Sequence, residues 1–312
     1  MESRDKVSII IPCYNQGHFL SEAIQSVINQ SYPFWECIVV NDGSTDATSE
    51  IAQRYVDLDP RIRYVEQSNT GQSGARNLGL REASGKYIQF LDCDDLLMPE
   101  KIDLQIVLLQ SSTELSVAYC DFLYCQGEDV KNFIFWPVCE PRFTMERPLW
   151  DLASRWETAL IIPPHGFLFD ARFFKDKQVE FDETLPTRAA WDCWEDWDCW
   201  MRIFSFDPII HHVKRKLVIY RLHDESKCAN RRGIWRGYQG AIRKQQQLFL
   251  HDPIISRMLQ NKMKQMHQVA RKRWIDDLAK RVPPSAARAF KRYVPWPLQK
   301  MLYKFADFDI AS

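Results

Sequence analysis

No stretch of the chain approaches the roughly 20 consecutive apolar residues that a membrane-spanning helix requires. The opening Met-Glu-Ser-Arg-Asp-Lys runs straight into a short apolar segment, with neither the apolar core nor the small-residue cleavage site of a signal peptide. A cytosolic protein is therefore expected, with any membrane contact peripheral. The nine cysteines are an odd number and no two form a close CxxC pair, which argues against zinc knuckles and thioredoxin-type redox sites. They are read as reduced, mostly buried thiols. A GxxxxGK[ST] loop is missing, so phosphate is not held by a P-loop. Internal repeats and low-complexity runs are absent too.

Charge of one sign is also lacking in the chain as a whole, with 41 Lys+Arg against 41 Asp+Glu. That balance excludes a wholly basic nucleic-acid binder and an acidic disordered chain. The balance conceals a split. Residues 231–312 hold 18 Lys+Arg and 5 Asp+Glu, whereas residues 1–230 hold 23 and 36. Two regions are therefore expected, an acidic one at 1–230 and a basic helical one at 231–312. With 46% hydrophobic residues in 312, the first is long enough to bury a sizeable core.

Residues 7–12 (VSIIIP) form a continuous apolar run of strand type, and residues 19–29 then carry an apolar stripe at helical spacing. The alternation repeats: strand-like 37–40, helical 45–57, strand-like 62–65, helical 75–83, strand-like 87–91, helical 100–110, then a strand near 117–124. This pattern predicts an α/β fold with a mostly parallel, doubly wound sheet and helices on both faces. Residues 127–164, rich in Pro and aromatics without a clean period, read as irregular. A short strand at 167–169, a helix over about 194–206 and a strand near 216–220 follow. From residue 234 the chain reads as helices interrupted at Pro253, Pro283, Pro284, Pro295 and Pro297.

Ligands of such sheets gather at the carboxyl ends of the strands, and the informative polar residues fall there. Asp92, Asp94 and Asp95 follow a buried apolar strand directly, where their mutual repulsion asks for a cation. Mg2+ or Mn2+ held by one or two carboxylates suits so few ligands. The alternative is that they only turn the chain ahead of the next helix. Asp42 ends the second strand in Asp42-Gly43-Ser44. It is either part of a helix cap or a carboxylate that accepts ring N–H groups of uracil or guanine. Arg76, at a helix start after Gly71 and Gly74, either meets a diphosphate or lies on the surface.

Taken together, VSIIIPCYNQGHFLSEAIQSVINQSYPFWECIVVNDGSTDAT, GQSGARNLGL and GKYIQFLDCDDLLMPEKI closely resemble the family-2 glycosyltransferases of GT-A fold, densely over residues 6–110 and more loosely to about 230. The resemblance implies an inverting transferase using a nucleotide-diphosphate sugar and Mn2+ or Mg2+. It places Pro12, Tyr14, Asn15 and Asp42 at the nucleoside, Asp92 and Asp94 at ribose and metal with Asp95 as a helper, and Arg76 toward the diphosphate. Trp194-Glu195-Asp196-Trp197 resembles the family's Glu-Asp motif, which makes Asp196 the catalytic base and Glu195 its neighbour in role. Those acids also suit a helix N-terminus, and most of the nearby tryptophans are read as core. Tyr220-Arg221-Leu222-His223 resembles the family's Tyr-Arg-x-His segment, whose histidine or arginine approaches the diphosphate or metal, and His223 is the candidate taken from it; the alternative is a surface loop histidine.

The Gln-x-x-Arg-Trp signature of processive synthases is missing, so transfer of one sugar or a few is expected. UDP or dTDP donors are favoured over GDP ones. A glycan or lipid-linked glycan is the expected acceptor, and the basic region 231–312, interleaved with aromatics, either meets an anionic membrane or packs on the acidic region. Rival readings are a nucleotidyltransferase and a non-catalytic nucleotide-sugar-binding or assembly protein. Nucleic-acid binding is disfavoured because no recognition motif appears.

Overall fold

The computed structural model describes residues 5–127, 133–134, 141–185, 194–223 and 231–279. In chain order the elements are β1 (Val7–Cys13), α1 (Gly17–Ile28), β2 (Trp35–Asn41), α2 (Thr48–Leu58), β3 (Ile62–Glu66), α3 (Gly71–Glu82), β4 (Tyr87–Phe90), β5 (Leu96–Leu97) and α4 (Lys101–Gln110). They continue with β6 (Ser116–Gln126), β7 (Phe133–Ile134), α5 (Pro148–Arg155), β8 (Phe167–Asp170), α6 (Arg172–Lys175), α7 (Glu195–Phe204), β9 (Ile209–Leu222), α8 (Arg231–Leu248) and α9 (Pro253–Ala279).

The sheet runs β3-β2-β1-β4-β8-β6-β9-β5, with β7 paired to β6. Its first four strands are parallel, in the register Val7↔Trp35, Val7↔Tyr87 and Cys37↔Ile62. The central strands β1 and β2 are buried along their length, so continuous Val/Ile runs rather than alternation encode them. Beyond β4 the sheet is mixed. β8 runs antiparallel to both β4 and β6, and β9 returns parallel to β6. The carboxyl ends of β1, β2, β4 and β9 therefore share one edge. The α/β reading holds, and the mostly parallel character belongs to the first half of the sheet.

Two helices start away from their sequence-based bounds for an identifiable reason. α2 begins at Thr48 because Asp46 turns back and accepts from Thr48 N at 3.0 Å, while also holding Gly17 N at 2.8 Å. α3 begins four residues early because its first amides find a partner on β2, described below. β9 extends to 14 residues. Its polar first half hides the strand from a periodicity search, but pairing with β6 supplies its hydrogen bonds. α5 and α6 lie where no helix is expected.

The aromatic core sits under α7. Trp197 and Trp200 are fully buried, and Trp200 stacks on Phe169 at 4.5 Å and packs near Phe167 at 5.5 Å. Burial of rings of this size contributes on the order of 2–3 kcal/mol each, which fixes the helix on β8. The six described cysteines without a disulfide are all buried, as expected.

Of the described residues, those up to Leu259 form one compact unit, which includes α8. Lys244 Nζ reaches Asp198 Oδ2 at 2.8 Å and Asp182 Oδ2 at 2.6 Å, and Gln245 Nε2 reaches Asp198 Oδ1 at 2.6 Å. Asp198 is fully buried on α7, so these bonds hold α8 to the first unit. The prolines at 283, 284, 295 and 297 lie outside the described residues.

Candidate active site

The edge at the carboxyl ends of the strands is organised by side chains that tie one loop to the next. Asn15 takes φ +52°, the left-handed region that Asn tolerates better than most residues. Its Oδ1 accepts from Thr45 N at 2.7 Å and its own N–H donates to Ser44 Oγ at 3.0 Å, joining the ends of β1 and β2. Tyr14 beside it is 49% exposed. Pro12 is buried within β1 opposite Val40 and offers no open surface.

Asp42 is buried at the end of β2. Oδ1 accepts from Gln67 Nε2 at 2.7 Å and Thr70 N at 2.9 Å, and Oδ2 accepts from Gly71 N at 2.9 Å. A carboxylate from a neighbouring strand thus caps α3, satisfying two of its orphan amides and matching the helix dipole.

Arg76, one turn into α3, is 1% exposed. Its Nη2 donates to Asp92 Oδ1 at 2.8 Å and its Nη1 to Glu195 Oε1 at 2.7 Å. Both terminal nitrogens are committed to carboxylates, so Arg76 here is a cross-link between two segments and reaches a diphosphate only indirectly. Its placement requires α3 to lie close on β1: a Cβ at Gly79 would stand 2.3 Å from Ile10 Cγ2. Asn77 adds a second tie, accepting from Phe181 N and donating to Glu183 Oε1, both at 2.8 Å.

The segment after β4 divides its three carboxylates. Asp92 accepts from Arg76 and from Gln72 Nε2 at 3.0 Å. Asp94 is partly exposed and its Oδ2 lies 3.0 Å from His223 Nε2. Asp95 is turned inward, 1% exposed, with Oδ1 accepting from Arg221 N at 2.8 Å and Oδ2 standing 3.0 Å from His165 Nδ1. Burial pushes the Asp95 carboxyl up to about 6, with His165 opposing the rise and Asp94 adding to it. Arg221 Nε also donates to Asp94 O at 2.9 Å. The end of β9 therefore clasps the whole turn.

Across from it, α7 opens on Trp194 at φ +84°, a conformation costly for a bulky residue and typical of functional sites. Asp196 is half-buried in the first turn, its Oδ1 accepting from Trp197 N at 2.6 Å. Burial and then the Glu195 charge hold the Asp196 carboxyl well above the usual carboxylate range, against Arg76, which lowers it. A half-buried carboxylate with raised basicity suits proton abstraction from a hydroxyl.

The sequence model of glycosyl transferase family 2 matches residues 8–174. The chain belongs to this family. Glycosyltransferase GlyA of Streptococcus pneumoniae is 44% identical over 227 residues, which is 71% of this chain and 31% of that protein; the chain thus spans about a third of that relative's length. The chain resembles S. aureus TarS 1–349 in complex with UDP-GlcNAc with a TM-score of 0.62 at 18% identity, covering 92% of this chain and 88% of that one. It also resembles mannosyltransferase PcManGT from Pyrobaculum calidifontis, in complex with GDP-Man and Mn2+, with a TM-score of 0.55 at 17% identity over 100% and 82% of the chains. These likenesses establish the GT-A fold.

Among the described residues, no three His, Cys, Asp or Glu side chains converge as a ready-made metal cage. The pair Asp94 and His223 nevertheless fits a hard divalent ion that takes the rest of its shell from water and phosphate oxygens. The structure thus brings Asp92, Asp94, Arg76, Glu195 and His223 to one edge, with Asp42 and Asn15 bracing the loops beside them. Gln72 lies in a segment the sequence singles out without being marked there itself, whereas Arg221 belongs to the Tyr-Arg-x-His segment already noted and turns its guanidinium to Asp94 O. His165 has no motif that announces it.

Proposed function

We propose that the glycosyltransferase moves a sugar from a nucleotide-diphosphate donor to a hydroxyl of a glycan or lipid-linked glycan by single displacement with inversion. The carrying observation is the Arg76 cross-link, which ties Asp92 on the donor side to Glu195, the neighbour of Asp196. Asp196 takes the proton of the acceptor hydroxyl while the nucleoside diphosphate leaves from the opposite face of the anomeric carbon. Tyr14 offers its exposed ring to the base, with Asn15 and Asp42 fixing the loops around it and Pro12 shaping the turn. Asp92 meets the ribose. Asp94 and His223, with Asp95 bracing the turn from inside, would hold Mn2+ or Mg2+, which would supply charge compensation for the leaving diphosphate. UDP or dTDP donors are the proposed class; of the two solved neighbours named above, TarS carries UDP-GlcNAc and PcManGT carries GDP-Man, so the likenesses support a nucleotide-sugar donor without choosing the base.

A peripheral contact with an anionic membrane fits the charge of residues 231–312 and the apolar turn between α8 and α9. Leu248, Leu250 and Ile254 there are 53%, 67% and 48% exposed, with Arg243 and Arg257 exposed nearby. A cytoplasmic enzyme at the inner membrane face is the corresponding setting.

A thermal-shift panel of UDP-, dTDP- and GDP-sugars with and without Mn2+ tests the reading. Saturation at 100 times Kd adds about 2.7 kcal/mol of stability. A metal-dependent shift for one nucleotide, lost in Asp94→Ala and kept in Asp196→Asn, is expected. Absence of any shift from folded protein would favour a non-catalytic member.

A further inference from the structure

Behind the segment at 92–95 lies a buried polar column that the proposed mechanism does not use. Residues 164–166 form a single tight turn after Pro163, closed by Gly166 N donating to Pro163 O at 2.8 Å, and lead into β8. Three consecutive carbonyls from this turn are held by side chains of other elements. Gln89 Nε2 donates to His165 O at 3.0 Å, Gln105 Nε2 to Gly166 O at 3.0 Å, and Lys101 Nζ to Phe167 O at 3.0 Å. The thiol of Cys120 reaches Gly166 O at 3.5 Å, and Lys101 also bonds Gln89 Oε1. Gln89, Lys101, Gln105, Cys120 and His165 are all fully buried.

Such groups are costly to bury, and apolar residues of similar volume stabilise a core equally well. What this set achieves is a fixed place for one ring. His165 is stacked parallel to Tyr220 at 6.0 Å and presents Nδ1 3.0 Å from Asp95 Oδ2. From Asp95 the contacts continue through Arg221 N to β9, through Arg221 Nε to Asp94 O, and end at His223 against Asp94 Oδ2.

We infer that His165 is a positioning residue for the nucleotide–metal turn: held by the Gln89–Lys101–Gln105 network, it fixes Asp95, and through Asp95 the geometry of Asp94 and His223. The inference rests on reading Asp94 and His223 as the site of metal-bound diphosphate.

The test compares His165→Asn, whose amide nitrogen can take the place of Nδ1, with His165→Gln, whose longer side chain carries its amide past that point, and with His165→Ala. Two measurements are made on the full chain. The first is calorimetric binding of UDP with and without Mn2+. Gln and Ala are expected to weaken Mn2+-dependent UDP binding at least tenfold with metal-free UDP binding unchanged, and Asn is expected to stay within about threefold of wild type. The second is amide hydrogen exchange in ligand-free protein, where Gln and Ala accelerate exchange at Arg221, bonded to Asp95, at least tenfold and Asn does not.

Equal behaviour of the Asn and Gln variants in both measurements overturns the inference, as does a lowered melting temperature with unchanged metal-dependent binding and exchange. Should Ala fail to fold, the Asn–Gln comparison decides alone. A wild type that binds no UDP fails the functional reading instead, and the exchange measurement still judges His165.

Discussion

Arg76 and Glu195 are 119 positions apart in the chain and 2.7 Å apart in space, and the same guanidinium holds Asp92 at 2.8 Å. A planar fork can hold two carboxylates at once, one per terminal nitrogen, which an ammonium does only by giving up directionality. The arrangement joins the turn after β4 to α7, the helix carrying Asp196, so a displacement of one is felt by the other.

Arg76→Ala is expected to cost about 3–5 kcal/mol of stability, because two carboxylates then lose their buried counter-charge. Arg76→Lys should recover part of that and little turnover. Urea unfolding and steady-state rates on the same proteins check both. Equal turnover of the Lys variant and wild type would show that the fork geometry is immaterial.

The acid side of the rate profile follows from Asp196. Its carboxyl is raised by burial and by Glu195, so turnover should fall as pH drops through a midpoint well above the ordinary carboxylate range. Glu195→Gln removes the neighbouring charge and leaves Arg76 less neutralised, and both effects lower the Asp196 pKa. The acid limb should therefore move to lower pH, read from kcat between pH 4 and 8. A shift to higher pH would refute the assignment.

Lys101 makes the stability of the fold depend on pH. Burial pushes its ammonium from an ordinary 10.5 down to about 7. The folded-state pKa lies below the unfolded one, so the unfolded chain binds the extra proton between those values and stability rises with pH there. The free energy of unfolding of the wild type should gain a few kcal/mol relative to Lys101→Met between pH 6 and 9, rising by up to about 1.4 kcal/mol as the pH increases by one. Urea titrations at several pH values across this range measure the difference; a constant gap would show that Lys101 does not titrate there.

α8 is expected to be indispensable to the catalytic unit. A chain ending at 230 leaves Asp198 buried without Lys244 and Gln245, and should be insoluble or unfolded, whereas one ending at 259 should melt cooperatively. Lys244→Met in the full chain is expected to cost only about 1–3 kcal/mol, because Asp198 keeps Arg202 at 2.7 Å and Gln245 at 2.6 Å. Calorimetry distinguishes these outcomes.

Flotation with vesicles rich in anionic lipid tests the membrane contact. Wild type should co-float at low salt and release as salt rises. Leu248→Glu with Leu250→Glu should reduce binding at least tenfold, since each exposed leucine loses an apolar contact and gains a repelled charge. Failure of the wild type to float at low salt removes the proposal.

Much of the fold is legible in the sequence. Strands buried on both faces must be continuously apolar and amphipathic helices must show a stripe, so β1 to β4 and α1 to α4 can be found within a few residues. Family motifs mark Asp42, Asp92, Asp94, Asp196 and His223. The sequence alone also determines that acids and bases are segregated along the chain, since that is a matter of counting.

Other features depend on contacts between distant residues and leave no local trace. The early start of α3 is decided by Asp42, a cap from another strand. The inward turn of Asp95 is met by Arg221 N at 2.8 Å with His165 Nδ1 at 3.0 Å, and the role of Arg76 is set by two carboxylates, 16 and 119 positions away. The attachment of α8 is decided by Lys244 against Asp198. Periodicity reports which face of an element is apolar, but a buried charge is placed by whichever partner the folded chain brings within about 3 Å of it, and only the tertiary structure chooses that partner.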